Sequence, residues 1–180
     1  MNLPNKITLI RVVMIPLFLF FYLAGPLAAS HANMWLALII FSTAALTDAL
    51  DGYLARKMGL VTNFGKLMDP LADKLLVCSA LVAFVATGAL PAWAVIMMIS
   101  REFYISGLRQ LAVEQKIVLA ASVGAKFKTA IQIILIIYLL IPITEIVQEP
   151  VVIALMIISI AASVCTAVDY TLKNKSVLKN

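Results

Sequence analysis

The chain has 180 residues, 63% hydrophobic and only 13% charged, where an ordinary soluble domain is about half apolar. That balance excludes a soluble globular domain and predicts an all-α integral membrane protein, with one domain over residues 1–180. The net charge of +5 is read as membrane topology, with no nucleic-acid partner.

A spanning helix needs about 20 apolar residues. Six stretches qualify: Ile7–Ala28, Met34–Leu54, Leu71–Gly88, Pro91–Val113, Val123–Ile141 and Val151–Val168. Gly25-Pro26, Gly88 with Pro91, and Pro142 with Pro150 mark turns between them. The first stretch carries Arg11 and is not followed by a small-residue cleavage site, so it is expected to remain in place. The segment between the second and third stretches, with Asn63 and Gly65, reads as a short loop. Cys78 and Cys165 lie inside apolar stretches and are expected to be free packing residues. No internal repeat is evident.

The charges set the orientation. Lys6 and Arg11 open the first helix, and Arg56, Lys57, Lys66 and Lys74 surround the loop between the second and third. Arg109, Lys116, Lys126 and Lys128 surround the loop between the fourth and fifth, and Lys173, Lys175 and Lys179 follow the sixth. The other connections hold no Lys or Arg. Both termini and these two loops are therefore expected in the cytoplasm, in a multi-pass protein of the cell's inner (cytoplasmic) membrane. Lys57, Lys116 and the tail lysines read as topological anchors. Of the 14 basic residues, only Arg101 falls clearly within a span.

The chemistry concentrates between Asp48 and Asp73. Asp48, Asp51, Gly52 and Ala55 recur at the spacing of one helix face, with Arg56 just beyond. Eight residues after Arg56 stands Gly65, and Asp69 and Asp73 share a face four apart. Four ionised carboxylates in a low-dielectric setting repel, and hard divalent cations with oxygen ligands relieve that repulsion. Two such ions would cancel four charges, and a two-metal carboxylate site is a device of phosphoryl transfer. No His or Cys stands nearby, which argues against zinc. Gly and Ala let a bulky group approach the backbone, and Arg56 could bind a diphosphate. The competing structural reading has Asp69 cap the third helix with Pro70 at its first position, and Asp48 and Asp51 pair with Arg56 and Lys74.

The run Asp-x2-Asp-Gly-x2-Ala-Arg-x8-Gly-x3-Asp-x3-Asp resembles the signature of the CDP-alcohol phosphotransferase family. It is matched by Asp48, Asp51, Gly52, Ala55, Arg56, Gly65, Asp69 and Asp73. The resemblance covers essentially the whole chain. It implies six helices, cytoplasmic termini, a homodimer, and two Mg²⁺ or Mn²⁺ ions. It implies that Asp48, Asp51 and Asp69 mainly ligate metal. Asp73 is then the general base and a further contact to metal. The CDP moiety would lie over Gly52, Ala55 and Gly65. An acceptor hydroxyl would attack the β-phosphorus of a CDP-linked lipid such as CDP-diacylglycerol, releasing CMP.

Three further segments resemble members of the family whose acceptor is sn-glycerol 3-phosphate. They are Leu3-Pro4-Asn5-Lys6-Ile7-Thr8-Leu9-Ile10-Arg11, then Ser100-Arg101-Glu102 through Ser106-Gly107-Leu108-Arg109, and Lys126-Phe127-Lys128-Thr129. Ala125 stands where those members usually have Gly. A charge such as Arg101 at mid-bilayer costs at least ~2.5–3.5 kcal/mol, so it should face protein or a wet cavity. Glu102, Ser106 and Arg109 form a polar stripe on the fourth helix. Arg101, Arg109, Lys126 and Lys128 are the candidate binders of an acceptor phosphate. Structural readings compete here too. Arg101 and Glu102 could pair within the bundle, Lys126 and Lys128 could merely anchor the fifth helix, and Arg11 could contact lipid headgroups or substrate.

Other acceptors within the family remain open, as in cardiolipin, phosphatidylserine or inositol-phosphate lipid synthesis. A divalent-cation transporter is the alternative of a different class. It predicts acidic residues near the midplane of broken or repeated helices, whereas these four lie towards one side.

Overall fold

A computed structural model describes residues 3–23, 31–58, 63–115, 123–142 and 145–174. Side chains are described for these residues except at 3–6, 48–58, 63–67, 69–70, 123 and 145–148. The described residues form six helices: α1 (Leu3–Leu23), α2 (His31–Met58), α3 (Asn63–Ala86), α4 (Ala92–Glu114), α5 (Val123–Leu140) and α6 (Glu145–Lys173). The chain groups into two compact units. One comprises Met1–Ala89 with Ile136–Ile143, the other Leu90–Leu135 with Thr144–Asn180.

Three of the helices, α2, α3 and α6, are longer than the apolar stretches alone predict. α2 runs on through the whole Asp48–Arg56 segment to Met58, and α3 begins at Asn63. Asn63 and Gly65 are therefore helical, not part of a loop. The same start places Asp69 and Pro70 inside α3, so Asp69 does not cap it. Hydropathy fades before a helix ends, because a membrane helix continues into the polar interface where its backbone bonds still close. Pro150 likewise lies inside α6, at its sixth position, instead of in a turn. The sixth position lies past the N–H groups that a helix start leaves free, so Pro150 forgoes one intrahelical bond. The other turn signals hold where they are described. Gly88 takes φ +77°, a left-handed conformation that glycine reaches without strain, and Pro91 is the N-cap of α4. Gly25-Pro26 lies outside the described residues.

In the first unit, aromatic rings set the register. Phe18 of α1 stacks on Tyr22 and meets Phe41 of α2 with ring centres 5.8 Å apart. Tyr22 packs edge-on against Phe84 of α3 at 5.2 Å, and its hydroxyl pairs with Thr87 at 3.0 Å. Further along the same α1–α2 contact, the Arg11 Nε donates to the Ala44 carbonyl at 3.3 Å. Position 11 thus meets 44 and position 18 meets 41, so α1 and α2 run antiparallel. The C-terminal ends of α1 and α3 meet, so those two run the same way. Fully buried Ala37 and Ala44 keep α2 slim where α1 crosses it.

In the second unit, α4 and α6 run parallel. Arg101 meets Thr166, Tyr104 meets Thr171, and Ile105 and Leu108 pack with Tyr170.

The polarity of these helices is inverted relative to a soluble protein. The buried face of α1 carries Thr8, Arg11, Ile15, Phe18 and Tyr22, while Leu9, Ile10, Val13, Leu17 and Phe20 point outward. In α5, Lys128 and Gln132 are buried and Phe127 and Ile134 are exposed. In α6, Ser159 and Ser163 are buried while Ile153, Ile157, Ile158, Val164 and Val168 are exposed. Water would not tolerate so continuous an apolar exterior, and lipid would. Thr43, Thr47, Thr129, Thr166 and Thr171 donate their hydroxyls to the carbonyl four residues back, which satisfies them inside their own helix. By length and composition, the stretch Glu149–Lys173 can cross a membrane, and Ile7–Leu23 and His31–Thr47 are shorter apolar helices. Cys78 and Cys165 are not joined in a disulfide, and they are half-buried and exposed respectively.

Candidate active site

The motif aspartates lie on two helices of the first unit that contact each other, α2 and α3. Asp48 and Asp51 are three apart on α2, followed by Gly52, Ala55 and Arg56. Gly65, Asp69 and Asp73 follow at four-residue steps on α3. At 3.6 residues per turn each set keeps to one helix face. Asp48 stands seventeen residues after His31, about 26 Å along α2 at 1.5 Å per residue. Of the motif side chains, Asp73 is described, and it is half-buried. The side chains of Asp48, Asp51, Gly52, Ala55, Arg56, Gly65 and Asp69 lie outside the described residues. Among described side chains no group of three or more His, Cys, Asp or Glu gathers. The donor set that the two helices bring onto their faces is all carboxylate, which fits Mg²⁺ or Mn²⁺ and not a soft metal.

Arg11 borders this region from α1. It is fully buried, so it does not reach lipid headgroups as one sequence reading allowed. Its Nε contact at Ala44 lies one turn before Asp48. The helix pairing that buries it is a tertiary fact with no local sequence signal.

The basic residues of α4 and α5 occupy distinct settings in the second unit. Arg101 is the tenth residue of α4 and only 8% exposed. Its Nη1 donates to Glu102 Oε1 at 3.0 Å, and its Nε donates to Thr166 Oγ1 at 3.2 Å. The buried Lys128 ammonium bonds the same Glu102 oxygen. Glu102 thus bridges two cations, so the expected pairing of Arg101 with Glu102 is present and Lys128 joins it. Burial also means that Lys128 does not snorkel to the membrane surface as a simple anchor. Lys126 is exposed. Arg109 is exposed, donates its Nε to the Tyr170 hydroxyl at 3.4 Å, and lies 5.9 Å from the centre of that ring. The Ser106 hydroxyl returns to the Glu102 carbonyl.

Sequence reasoning overlooked α6. Thr166, Tyr170 and Thr171 all touch α4 residues. The signal was present: Ser159, Ser163, Thr166 and Tyr170 recur at spacings of four, three and four, which is one face of a helix.

The sequence's paired aspartates thus stand on two adjoining helices of an all-helical protein whose described exterior is largely apolar. Residues 1–167 match the CDP-alcohol phosphatidyltransferase family, and the chain belongs to it. Among its relatives, a CDP-diacylglycerol–glycerol-3-phosphate 3-phosphatidyltransferase of Bacillus subtilis (strain 168) is 49% identical over 141 residues, 74% of this chain and 73% of the relative. A protein of Mycobacterium tuberculosis (strain CDC 1551 / Oshkosh), named a probable phosphatidylglycerophosphate synthase, is 40% identical over 174 residues, 94% of this chain and 79% of the relative. A CDP-diacylglycerol–glycerol-3-phosphate 3-phosphatidyltransferase of Rickettsia bellii (strain RML369-C) is 40% identical over 132 residues, covering 73% and 70%.

Proposed function

We propose that this protein transfers the phosphatidyl group of CDP-diacylglycerol to sn-glycerol 3-phosphate, giving phosphatidylglycerophosphate and CMP in phospholipid biosynthesis. The observation that carries the reading is the match covering 94% of the chain to a relative named for that product. Coverage that broad necessarily includes both the Asp48–Asp73 segment and the basic segments of α4 and α5.

In this reaction a hydroxyl of glycerol 3-phosphate attacks the β-phosphorus of the donor. The new P–O bond forms as the bond to the bridging oxygen breaks, and that oxygen leaves with CMP. The Asp73 carboxylate takes the hydroxyl proton. The carboxylates of Asp48, Asp51, Asp69 and Asp73 would hold two Mg²⁺ or Mn²⁺ ions, whose chemistry when bound is to neutralise the diphosphate and stabilise the leaving group. Gly52, Ala55 and Gly65 leave room for the nucleotide, and Arg56 pairs with the diphosphate. Arg101, Arg109, Lys126 and Lys128 bind the acceptor phosphate.

The same proposal holds that all six helices span the membrane within a single catalytic domain. Both termini and the active site face the cytoplasm, and two copies form a homodimer. The antiparallel α1–α2 pair and the parallel α4–α6 pair are what alternating spans require, which supports the first point.

The deciding experiment supplies purified protein with CDP-diacylglycerol and Mg²⁺. It then offers glycerol 3-phosphate, serine, inositol phosphate or phosphatidylglycerol separately and measures CMP release. Glycerol 3-phosphate should support release. Release with another acceptor alone would reassign the substrate, and none with any would sink the transferase reading.

A further inference from the structure

Both arginines of α4 are held by hydroxyls of α6, and in each case through Nε. Arg101 Nε donates to Thr166 Oγ1 at 3.2 Å, and Arg109 Nε donates to the Tyr170 hydroxyl at 3.4 Å. Thr166 and Tyr170 are one turn apart on a single face of α6. Each is itself fixed. The Thr166 hydroxyl donates to the Ala162 carbonyl at 2.6 Å, which turns its lone pairs outward to accept. Tyr170 is 4% exposed and packs against Ile105 and Leu108. Its ring also lies within cation–π distance of the Arg109 guanidinium.

A guanidinium can grip an oxyanion side-on, through Nε and one Nη, or end-on, through both Nη groups. Donating Nε to a protein hydroxyl removes the side-on mode and restrains rotation about the long side chain. We propose that Thr166 and Tyr170 are positioning residues for acceptor recognition, each taking the Nε of one α4 arginine and so aiming at the acceptor phosphate the Nη end of Arg109 and the Nη2 of Arg101, whose Nη1 already bonds Glu102. The inference rests on the assignment of Arg101 and Arg109 to that phosphate made above. It makes the last helix part of the acceptor half of the enzyme. Glu102 then completes the setting: it shares one oxygen between Arg101 and Lys128, keeping two close cations from repelling each other apart.

The test uses substitutions that preserve volume. Tyr170→Phe keeps the ring and its packing and loses the hydroxyl, and Thr166→Val keeps the shape and loses the acceptor. Each should raise the KM for glycerol 3-phosphate roughly three- to tenfold, the worth of one net hydrogen bond. The KM for CDP-diacylglycerol should stay at its wild-type value. Thr166→Ser should restore the acceptor KM. An acceptor KM unchanged in both variants overturns the assignment, and so does an equal rise in donor and acceptor KM, which marks a merely structural role. Failure of the underlying function appears differently: the wild-type protein itself then releases no CMP with glycerol 3-phosphate, which overturns both.

Discussion

Arg11 donates its Nε to the backbone carbonyl of Ala44 while being wholly shielded from the exterior. A guanidinium in that position ties α1 to α2 one turn before Asp48, and it packs with its long stem as well as with its charge. Arg11→Ala removes both contributions and should cost about 2–4 kcal/mol. Thermal unfolding in detergent would show the loss, and a variant as stable as wild type would mean the tie is not a stabilising one.

The shared oxygen of Glu102 makes a second prediction. Arg101 and Lys128 have side chains only 9% and 2% exposed, and both lean on that carboxylate. Glu102→Ala leaves two buried cations facing each other and should cost about 3–5 kcal/mol. Glu102→Gln should cost less, because an amide oxygen still accepts from both. The order of the two melting temperatures checks the argument: if Gln is as harmful as Ala, charge neutralisation matters more than the bridging geometry.

Asp73→Asn tests the division of labour within the motif. In its proposed role as proton acceptor, Asp73 would contribute about 10²–10⁴-fold to turnover. CMP release should fall by that factor while binding of CDP-diacylglycerol, measured by titration calorimetry, largely persists. Loss of both in proportion would recast Asp73 as a metal ligand first.

Removal of divalent ions with EDTA should abolish CMP release, and Mg²⁺ or Mn²⁺ should restore it. Activity that survives exhaustive chelation would count against the carboxylate set as a metal site.

Much of this architecture is legible in the sequence, for identifiable reasons. Apolar runs and turn residues disclose the helices because lipid demands long, internally bonded segments. Gly88 and Pro91 mark the α3–α4 turn through backbone rules that hold anywhere in the chain. Helix ends are less legible. Asn63, Gly65 and Asp69 read as loop and cap, yet α3 includes them, because polar composition at a membrane interface does not distinguish loop from helix. The motif shows which residues act together without showing what braces them. The burial of Arg11 and the sharing of Glu102 by Lys128 depend on how separate helices pair, which no local pattern shows. The contacts of Tyr170 had a visible sign, its place on the polar face of α6, but no sign of the partner.

Among the described residues, three polar ties between α4 and α6 join residues 61 to 67 positions apart. A chain that stopped before Thr166 would carry the whole aspartate motif and none of these ties. During synthesis, the Asp48–Asp73 segment is written while Arg101, Tyr104 and Arg109 still lack these partners. On the proposed assignment of Arg101 and Arg109, a lesion at Thr166–Thr171 would reach the recognition of the smaller, water-soluble substrate.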